Sequence, residues 1–177
     1  MAFYEQDVGV HIDEKKLQAR VRELGEQITR DYQGKELTLV CVLKGSAFFA
    51  MDLARYVDLP LTIEFLGVSS YQGGTETTGE VRITTDVSKP MAGKHLLIIE
   101  DIIDTGLTMS FLLENLNARH PASLKVCTLL EKPSRARAKI PIDYKGFVID
   151  DVFVVGYGLD YAERYRNLPF IGVMKGK

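Results

Sequence analysis

The sequence predicts an α/β fold, in which a central, mainly parallel sheet is flanked by helices. Strand-like segments alternate with helix-like segments along the chain, which is the order that builds parallel sheets. Several strand-like segments are continuous apolar runs, which are typical of strands buried on both faces. The 177 residues contain no repeat, low-complexity stretch or linker, so we expect residues 1–177 to form a single domain.

The first half of the chain predicts two helices and three strands. The first helix begins after Asp13, a residue type that caps helices, and apolar residues then recur at helical spacing until Gly34. The apolar run over residues 37–43 predicts a fully buried strand. The other predicted elements are a helix at 47–56 and strands at 61–70 and 81–87.

The second half continues this alternation. Two more apolar runs, 95–99 and 124–130, predict buried strands, and a predicted helix at 107–119 lies between them. The apolar segment 152–155 predicts a last strand. Residues 133–150 follow no clear period, so we expect an irregular connection that contains a short strand.

Composition and charge argue against several classes of partner. The 22 basic and 24 acidic residues give a net charge of -2, whereas nucleic-acid binders usually carry a basic excess. Residues 1–5 do not resemble a signal peptide, and the longest apolar runs are far shorter than the ~20 residues that span a bilayer. Cys41 and Cys127 lie in apolar runs and are expected to be buried, reduced thiols. We therefore expect a cytoplasmic protein that binds neither nucleic acid nor membrane.

Three acidic residues and a glycine turn follow the apolar run 95–99. Glu100 and Asp101 come first, at the carboxyl end of a strand, where open α/β sheets bind their ligands. Asp104 precedes residues 105–108, a Thr-Gly-Leu-Thr sequence whose backbone N–H groups and hydroxyls suit a phosphate. Helix capping explains one acid but not three. Because carboxylates bind sugar hydroxyls and divalent cations, the segment predicts a sugar-phosphate site.

The segment from Leu97 to Thr108 resembles the phosphoribosyl-pyrophosphate motif of type I phosphoribosyltransferases, which is two acids, a spacer and Asp-Thr/Ser-Gly-x-Thr. The resemblance implies the type I phosphoribosyltransferase fold. To the central sheet this fold adds a small hood, here the N-terminal segment together with residues about 153–177. It also adds a flexible lid loop, at about residues 70–79.

The resemblance also implies a role for each residue of the motif. Glu100 and Asp101 would hold the ribose hydroxyls and help to bind Mg²⁺, and Asp104 would accept or relay the proton of purine N7. Leu107 would contribute only its backbone, at a position where some members carry lysine or asparagine. The 5-phosphate would be bound by Thr105, Gly106, Leu107 and Thr108.

Two further segments resemble loops of hypoxanthine-guanine phosphoribosyltransferases. The Leu-Lys-Gly-Ser sequence at 43–46 resembles the pyrophosphate loop, in which the Leu–Lys peptide can be cis. Lys44 and Gly45 would then contact the pyrophosphate. Ser70 and Tyr71 resemble the start of the lid, and the glycines that follow would let the lid close and exclude water.

The remaining matches concern the purine and the metal. Lys132 matches the lysine that reads the base. Because an ammonium group donates hydrogen bonds and cannot accept them, it favours a 6-oxo group over the 6-amino group of adenine. Phe153 would stack on the base beside Val154. Asp160 would ligate magnesium, and Arg166 would reach the pyrophosphate.

The resemblance extends over about residues 8–174 and implies a purine salvage enzyme. Such an enzyme transfers the 5-phosphoribosyl group from phosphoribosyl pyrophosphate to N9 of hypoxanthine or guanine, with Mg²⁺ as cofactor. The products are IMP or GMP and pyrophosphate. The family resemblance also implies a homodimer or homotetramer.

Three alternatives are less well supported. The same chemistry with xanthine as the preferred base is the nearest, because backbone carbonyls can read the purine C2 position. A sensor of phosphoribosyl pyrophosphate that regulates transcription or binds RNA would need no lid or base pocket, which argues against it. A generic nucleotide-binding domain lacks support, since the sequence has no Gly-x-x-x-x-Gly-Lys-Ser/Thr motif.

Overall fold

The computed structural model describes residues 7–70 and 81–175, apart from the side chain of Ser70. Three helices and nine strands are found in these residues. In chain order they are β1 (Val8–Ile12), α1 (Glu14–Asp31), β2 (Leu37–Leu43), α2 (Ala47–Arg55), β3 (Leu61–Ser70), β4 (Val81–Thr85), β5 (His95–Ile103), α3 (Leu107–Asn117), β6 (Ser123–Glu131), β7 (Tyr144–Val148), β8 (Val154–Val155) and β9 (Ile171–Met174).

The central sheet has six strands in the order β4-β3-β2-β5-β6-β7. All neighbours are parallel except β3 and β4, so the predicted α/β fold with a mainly parallel sheet is confirmed. The predicted short strand in 133–150 is β7, at the edge of this sheet. It follows a single 3-10 turn at Pro133–Arg135.

Both faces of the sheet are covered, as the continuous apolar runs predict. Along β2, Leu39 and Cys41 join the cluster that includes α1 and α2, whereas Val40 and Val42 join the cluster that includes α3. This alternation follows from the two-residue period of a strand. Cys41 and Cys127 are buried and free, as predicted, and burial raises the pKa of both thiols.

Helix α1 begins where the sequence predicts. The carboxylate of Asp13 accepts a hydrogen bond from the backbone N of Lys16 at 2.9 Å, which satisfies a free N–H group of the first turn. The buried face of the helix consists of Leu17, Val21, Leu24, Gly25 and Ile28. Together with α2, this face covers one side of the central sheet.

Strand β5 is longer than the sequence predicts. It extends through Ile103, because Glu100 pairs with Thr128 and Ile103 pairs with Glu131 of β6. The two acids Glu100 and Asp101 therefore lie inside the strand, close to its carboxyl end, rather than after it. Strand pairing thus fixes their backbone more firmly than a loop would.

A second, antiparallel sheet has the order β1-β9-β8. The strand predicted at 152–155 is reduced to Val154 and Val155. It pairs with β9 in this small sheet rather than with a strand of the central sheet. Of the predicted lid at 70–79, only the backbone of Ser70 lies within the described residues, and it pairs with Val81. No helix in the described ranges is long and apolar enough to cross a membrane.

Candidate active site

A cavity of about 450 Å³ lies at the carboxyl ends of β2, β5 and β6. Its walls bring together segments that are far apart in the sequence, which is the usual arrangement of a ligand site in an open α/β sheet. The predicted site residues that line it are Lys44, Gly45, Glu100, Asp101, Asp104, Thr108, Lys132, Phe153, Val154, Asp160 and Arg166.

A smaller cavity of about 100 Å³ adjoins the first and is lined by Thr105, Gly106 and Thr108. Gly106 is the N-cap of α3 and has a φ of 79°, a left-handed conformation that favours glycine. The turn before α3 is fixed by two hydrogen bonds, because the backbone N atoms of Arg137 and Ala138 donate to the carbonyl of Thr105 at 2.9 and 3.1 Å. An anion in this cavity would meet the N-terminus of α3, which favours negative charge.

Two other predicted residues are placed less centrally. Leu107 is the first residue of α3, and its backbone N lies 3.5 Å from Thr105 Oγ1. Its side chain is exposed and lines neither cavity. The side chain of Ser70 and all of Tyr71 lie outside the described residues.

The acidic pair packs beside the loop that carries Gly45, where Glu100 is buried and Asp101 is partly buried. Burial raises the pKa of Glu100 well above its ordinary value, and the neighbouring charge of Asp101 raises it further. Burial also raises the pKa of Asp101, whose carboxylate accepts a hydrogen bond from the backbone N of Ile102 at 2.8 Å. A Cβ atom at Gly45 would overlap the carboxylate of Asp101, so this close packing requires glycine.

The loop after β2 carries Lys44 to the cavity, and its Leu43–Lys44 peptide is cis. The hydroxyl of Ser46 donates to the carbonyl of Val42 at 2.6 Å and so closes the loop at the start of α2. Gly158, with a φ of 102°, packs so closely that a Cβ atom there would overlap the carbonyl of Gly45. These contacts bring the loop after β8 against the loop after β2.

Lys44 and Arg166, the two cations predicted for pyrophosphate, already share a carboxylate partner. Lys44 Nζ lies 3.0 Å from Glu163 Oε2, and Arg166 Nη2 lies 3.4 Å from Glu163 Oε1. Arg166 also bonds to Asp160 Oδ1 at 2.8 Å and donates to the carbonyl of Gly158 at 2.7 Å. The hydrogen bond and charge of Lys44, then the charge of Arg166, lower the pKa of Glu163.

The predicted base-binding residues Lys132, Phe153 and Val154 line the same cavity. Lys132 is only 8% exposed, although lysine side chains are usually solvated. Phe153 is 45% exposed, and its ring lies 5.7 Å from the ring of Tyr161 in an edge-to-face arrangement. Val154 is buried in β8. A flat ligand between these residues would contact one exposed aromatic ring and one buried cation.

Similarity to known proteins decides the family of this chain. The family model described as "Phosphoribosyl transferase domain" matches residues 12–162. The chain belongs to the phosphoribosyltransferase family. It is 51% identical to the hypoxanthine phosphoribosyltransferase of Haemophilus influenzae, over 93% of this chain and 94% of that protein. It is 52% identical to the hypoxanthine-guanine phosphoribosyltransferase of Staphylococcus aureus strain Mu50, over 94% and 93%.

Solved structures agree with this assignment. A crystal structure of a hypoxanthine phosphoribosyltransferase from Staphylococcus aureus superposes with a TM-score of 0.94 at 49% identity, covering 99% of this chain and 95% of that one. A hypoxanthine-guanine phosphoribosyltransferase from Bacillus anthracis gives 0.89 at 45% identity, covering 95% and 98%. The predicted type I phosphoribosyltransferase fold is therefore confirmed.

Sequence reasoning missed three charged residues at the site of this phosphoribosyltransferase. Glu163 contacts both Lys44 and Arg166. Arg135 and Asp151 each contact a predicted site residue. Arg135 Nε lies 2.9 Å from Asp104 Oδ1, and Asp151 Oδ1 lies 3.7 Å from Lys132 Nζ. Arg135 and Glu163 stand in polar segments without a motif, and Asp151 is the second of two acids between apolar runs, which is also typical of a surface turn. Nothing in the sequence therefore separates these residues from solvated surface residues.

The phosphoribosyltransferase has a second cleft of about 500 Å³ at the opposite, amino edge of the sheet. It is slightly larger than the first, but it has no acidic pair and does not adjoin the start of α3. Its polar side chains are Lys35, Glu36, Thr38, Thr62, Lys94 and His95. The carboxyl edge is therefore the better candidate for the active site of this fold.

The carboxylates of the cavity suit a hard divalent cation. Among residues 7–70 and 81–175, no three His, Cys, Asp or Glu side chains cluster closely enough to enclose a metal ion. Glu100, Asp101 and Asp160 nevertheless line one cavity. Mg²⁺ usually takes one or two carboxylates and completes its shell with water and substrate oxygens, so this donor set fits it.

Proposed function

We propose that this phosphoribosyltransferase is a purine salvage enzyme that transfers the 5-phosphoribosyl group from phosphoribosyl pyrophosphate to N9 of hypoxanthine or guanine. The products are IMP or GMP and pyrophosphate. The observation that carries the proposal is the shared cavity, because Lys132 and Phe153 line the same space as the acidic pair Glu100 and Asp101. The names of the Haemophilus and Staphylococcus relatives favour this function over a xanthine-preferring enzyme and over a non-catalytic sensor.

The sugar end of the donor would lie over β5. Glu100 and Asp101 would hold the ribose hydroxyls, because their carboxyl groups border the cavity beside the small phosphate-sized cavity. The 5-phosphate would lie against the backbone N–H groups and hydroxyls of residues 105–108. Fixing the sugar at both ends places the ribose C1 atom for attack, and such positioning lowers the barrier substantially.

The pyrophosphate end would lie between the loop after β2, which carries Gly45, and the loop after β8, which carries Gly158. Lys44, Arg166 and the backbone at Gly45 would bind it, since all three border the cavity. Charge develops on pyrophosphate as it leaves, and cations placed in advance stabilise that charge in the transition state. Glu163 would have to give up its contacts with Lys44 and Arg166 when the diphosphate binds.

Mg²⁺ is the cofactor that we propose. Asp160 would be its main protein ligand, with Glu100 and Asp101 bound directly or through water. When bound, the cation supplies charge neutralisation at the pyrophosphate oxygens. Asp160 also forms an ion pair with Arg166 and accepts a hydrogen bond from the backbone N of Glu163, and both contacts fix the orientation of its carboxylate.

The base would lie between Phe153 and Lys132. Phe153 would stack on the purine beside Val154, and the ammonium group of Lys132 would donate to the 6-oxo group. Asp104 borders the same cavity and would accept the proton from purine N7 as N9 attacks the ribose. The orientation of Asp104 is therefore central to the chemistry.

A lid and a hood would complete the enclosure. The family resemblance implies a lid at about residues 70–79, which lie outside the described residues except for the backbone of Ser70. Val68 of β3 borders the cavity, so the strand that leads into this segment lies beside the substrate. The hood would be the small sheet of β1, β8 and β9 with the rest of residues 153–177. Closure would exclude water from the reaction.

We also propose a cytoplasmic protein that assembles as a homodimer or homotetramer and that acts on a small-molecule donor and base. The two buried free thiols suit a reducing compartment. The assembly is the expectation from the family. Sedimentation equilibrium at micromolar concentration would measure the mass directly, and a mass of one chain would contradict this part of the proposal.

The test of the function is a spectrophotometric assay with phosphoribosyl pyrophosphate, Mg²⁺ and one purine at a time. We expect nucleotide to form with hypoxanthine and with guanine, and not with adenine. Xanthine is tested as the fourth base. If the protein turns over xanthine faster than hypoxanthine and guanine, it is a xanthine-preferring phosphoribosyltransferase instead. Failure to form nucleotide from every base would overturn the enzymatic proposal.

A further inference from the structure

Four charged side chains form a continuous series of ion pairs between Asp104 and Lys132, two residues that line the cavity. Arg135 Nε lies 2.9 Å from Asp104 Oδ1, and Arg135 Nη1 lies 3.5 Å from Asp151 Oδ2. The other oxygen of Asp151 lies 3.7 Å from Lys132 Nζ. The series therefore joins Asp104, the proton acceptor of the proposed reaction, to Lys132, the residue that would read the base.

The position of Arg135 is set by the backbone around it. Arg135 ends the 3-10 turn after β6, and its backbone N donates to the carbonyl of Lys132 at 3.1 Å. Two residues later, the backbone N of Arg137 donates to the carbonyl of Thr105 at 2.9 Å. Backbone hydrogen bonds thus fix the short segment that carries Arg135 to Lys132 at one end and to Thr105 at the other.

The contacts of Arg135 contribute little to the stability of the fold. The side chains of Arg135, Asp104 and Asp151 are 45%, 39% and 51% exposed, and ion pairs this exposed contribute little to stability. The charge of Asp104, then that of Asp151, raises the pKa of Arg135, which stays a cation throughout the working range. Within the part of the chain that the structure describes, no donor bonds to Asp104 Oδ2.

We propose that Arg135 is a positioning residue for proton transfer. By bonding Asp104 Oδ1 it would hold the carboxylate in one orientation, with Oδ2 directed to purine N7, while Asp151 holds Arg135. This inference rests on the proposed function. As N9 bonds to ribose C1, the bond from C1 to pyrophosphate breaks and its electron pair leaves with pyrophosphate. The N7 proton passes to Asp104 Oδ2, and the electron pair of the N7–H bond stays in the purine ring.

A double-mutant cycle tests this role. We expect Arg135→Met to lower kcat about tenfold and to leave the KM for phosphoribosyl pyrophosphate within about twofold, because a misoriented base slows the chemical step and not donor binding. Arg135→Lys should recover part of kcat. In the Asp104→Asn background, Arg135→Met should cause no further loss, since the group that it positions is gone.

Arg119→Met is the matched control. Arg119 pairs with Asp86 at 2.9 Å, outside both cavities, so its loss removes a similar arginine–aspartate pair and should leave kcat unchanged. A second variant, Asp151→Asn, should lower kcat by about threefold, and this loss too should vanish in the Asp104→Asn background. This variant weakens the contact that holds Arg135 in place and leaves Arg135 itself unchanged.

The outcomes separate the inference from the function on which it rests. If the wild-type protein forms no nucleotide from any purine, the proposed function fails. If the wild type is active, the inference is overturned by an unchanged kcat in Arg135→Met, or by an equal fold loss in the presence and absence of the Asp104 carboxylate. Circular dichroism of each variant shows whether the fold is intact, and Asp151→Asn decides the question if Arg135→Met does not fold.

Discussion

A carboxylate oxygen of Glu163 lies 3.0 Å from the ammonium nitrogen of Lys44. The other oxygen of Glu163 lies 3.4 Å from Arg166, so one side chain occupies both cations that we assign to pyrophosphate. A diphosphate must displace it to reach them. We therefore expect this side chain to compete with the donor and with the pyrophosphate product.

Glu163→Gln removes this competing charge and keeps the shape of the side chain. We expect the KM for phosphoribosyl pyrophosphate and the inhibition constant of pyrophosphate to fall about twofold to fivefold, since the pairs that must be broken are exposed and weak. Steady-state kinetics with pyrophosphate as product inhibitor measures both constants. Glu23→Gln, which disrupts an exposed pair with Arg20, is the control. A higher KM in Glu163→Gln would show that Glu163 assists binding instead.

Lys132 decides the choice of base in this account. Its amide replacement, Lys132→Gln, can both donate and accept hydrogen bonds, so it should no longer disfavour the 6-amino group of adenine. We expect kcat/KM for hypoxanthine and guanine to fall at least tenfold, with a smaller effect on the KM for the donor. The exposed Lys139→Gln is the control. If the preference for 6-oxopurines over adenine stays the same, Lys132 does not read the base.

Glu100 illustrates a conflict between stability and activity. Burial raises its pKa well above the ordinary value, so the burial of Glu100 costs folding free energy at pH 8, which is above that ordinary value. Glu100→Gln should therefore raise Tm by about 2–4 °C at pH 8 while lowering phosphoribosyl transfer more than tenfold. Calorimetry beside the kinetic assay measures both effects, with the exposed Glu26→Gln as control. A lower Tm would contradict the assignment of a destabilising buried carboxyl group.

Gly45 packs against Asp101 with no space for a side chain. A Cβ atom there would overlap the carboxylate, so Gly45→Ala must shift either the pyrophosphate loop or the acidic pair. We expect kcat/KM for phosphoribosyl pyrophosphate to fall at least a hundredfold, because a shift of about 1 Å at a reacting centre has this effect. Gly9→Ala is the control, since its nearest contacts would lie at 4.0 Å. Full activity in Gly45→Ala would show that the loop can move without consequence.

The pair between Asp86 and Arg119 sets a pH dependence of stability away from the site. The hydrogen bond from Arg119 lowers the pKa of Asp86, so the stabilisation is complete above the ordinary aspartate pKa of about 3.9. It is lost as the pH falls through the lowered pKa of the folded protein. Asp86→Asn should cost about 0.5 kcal/mol at pH 7, the usual value for an exposed pair. Urea unfolding at pH 7 and at pH 2.5 tests this, and a difference that grows on acidification would contradict it.

The sequence is most informative where one strand or one turn carries the signal. The apolar run of β2 predicts its burial on both faces, and the acids of β5 with the turn to α3 predict which residues line the two adjoining cavities. In these cases the residues that act together are neighbours in the chain. The local sequence pattern then predicts which side chains lie close together in the structure.

The contacts that the sequence could not predict are long-range. Strand β1 forms a sheet only because Val8 pairs with Met174, and no local period signals such a pairing. The ion pair of Glu163 with Lys44 is likewise unpredictable from the sequence, because it joins the loop after β8 to the loop after β2. Strand pairing with β6 also extends β5 past Ile99, because backbone bonds continue where the apolar run stops.

The central claim is most directly tested by product identification in a competition between bases. The purified protein is incubated with phosphoribosyl pyrophosphate, Mg²⁺ and equal concentrations of hypoxanthine, guanine, xanthine and adenine, and the nucleotides are resolved by mass spectrometry. The account predicts IMP and GMP as the main products, pyrophosphate in an amount equal to their sum, and no AMP. Absence of any nucleoside monophosphate would contradict it.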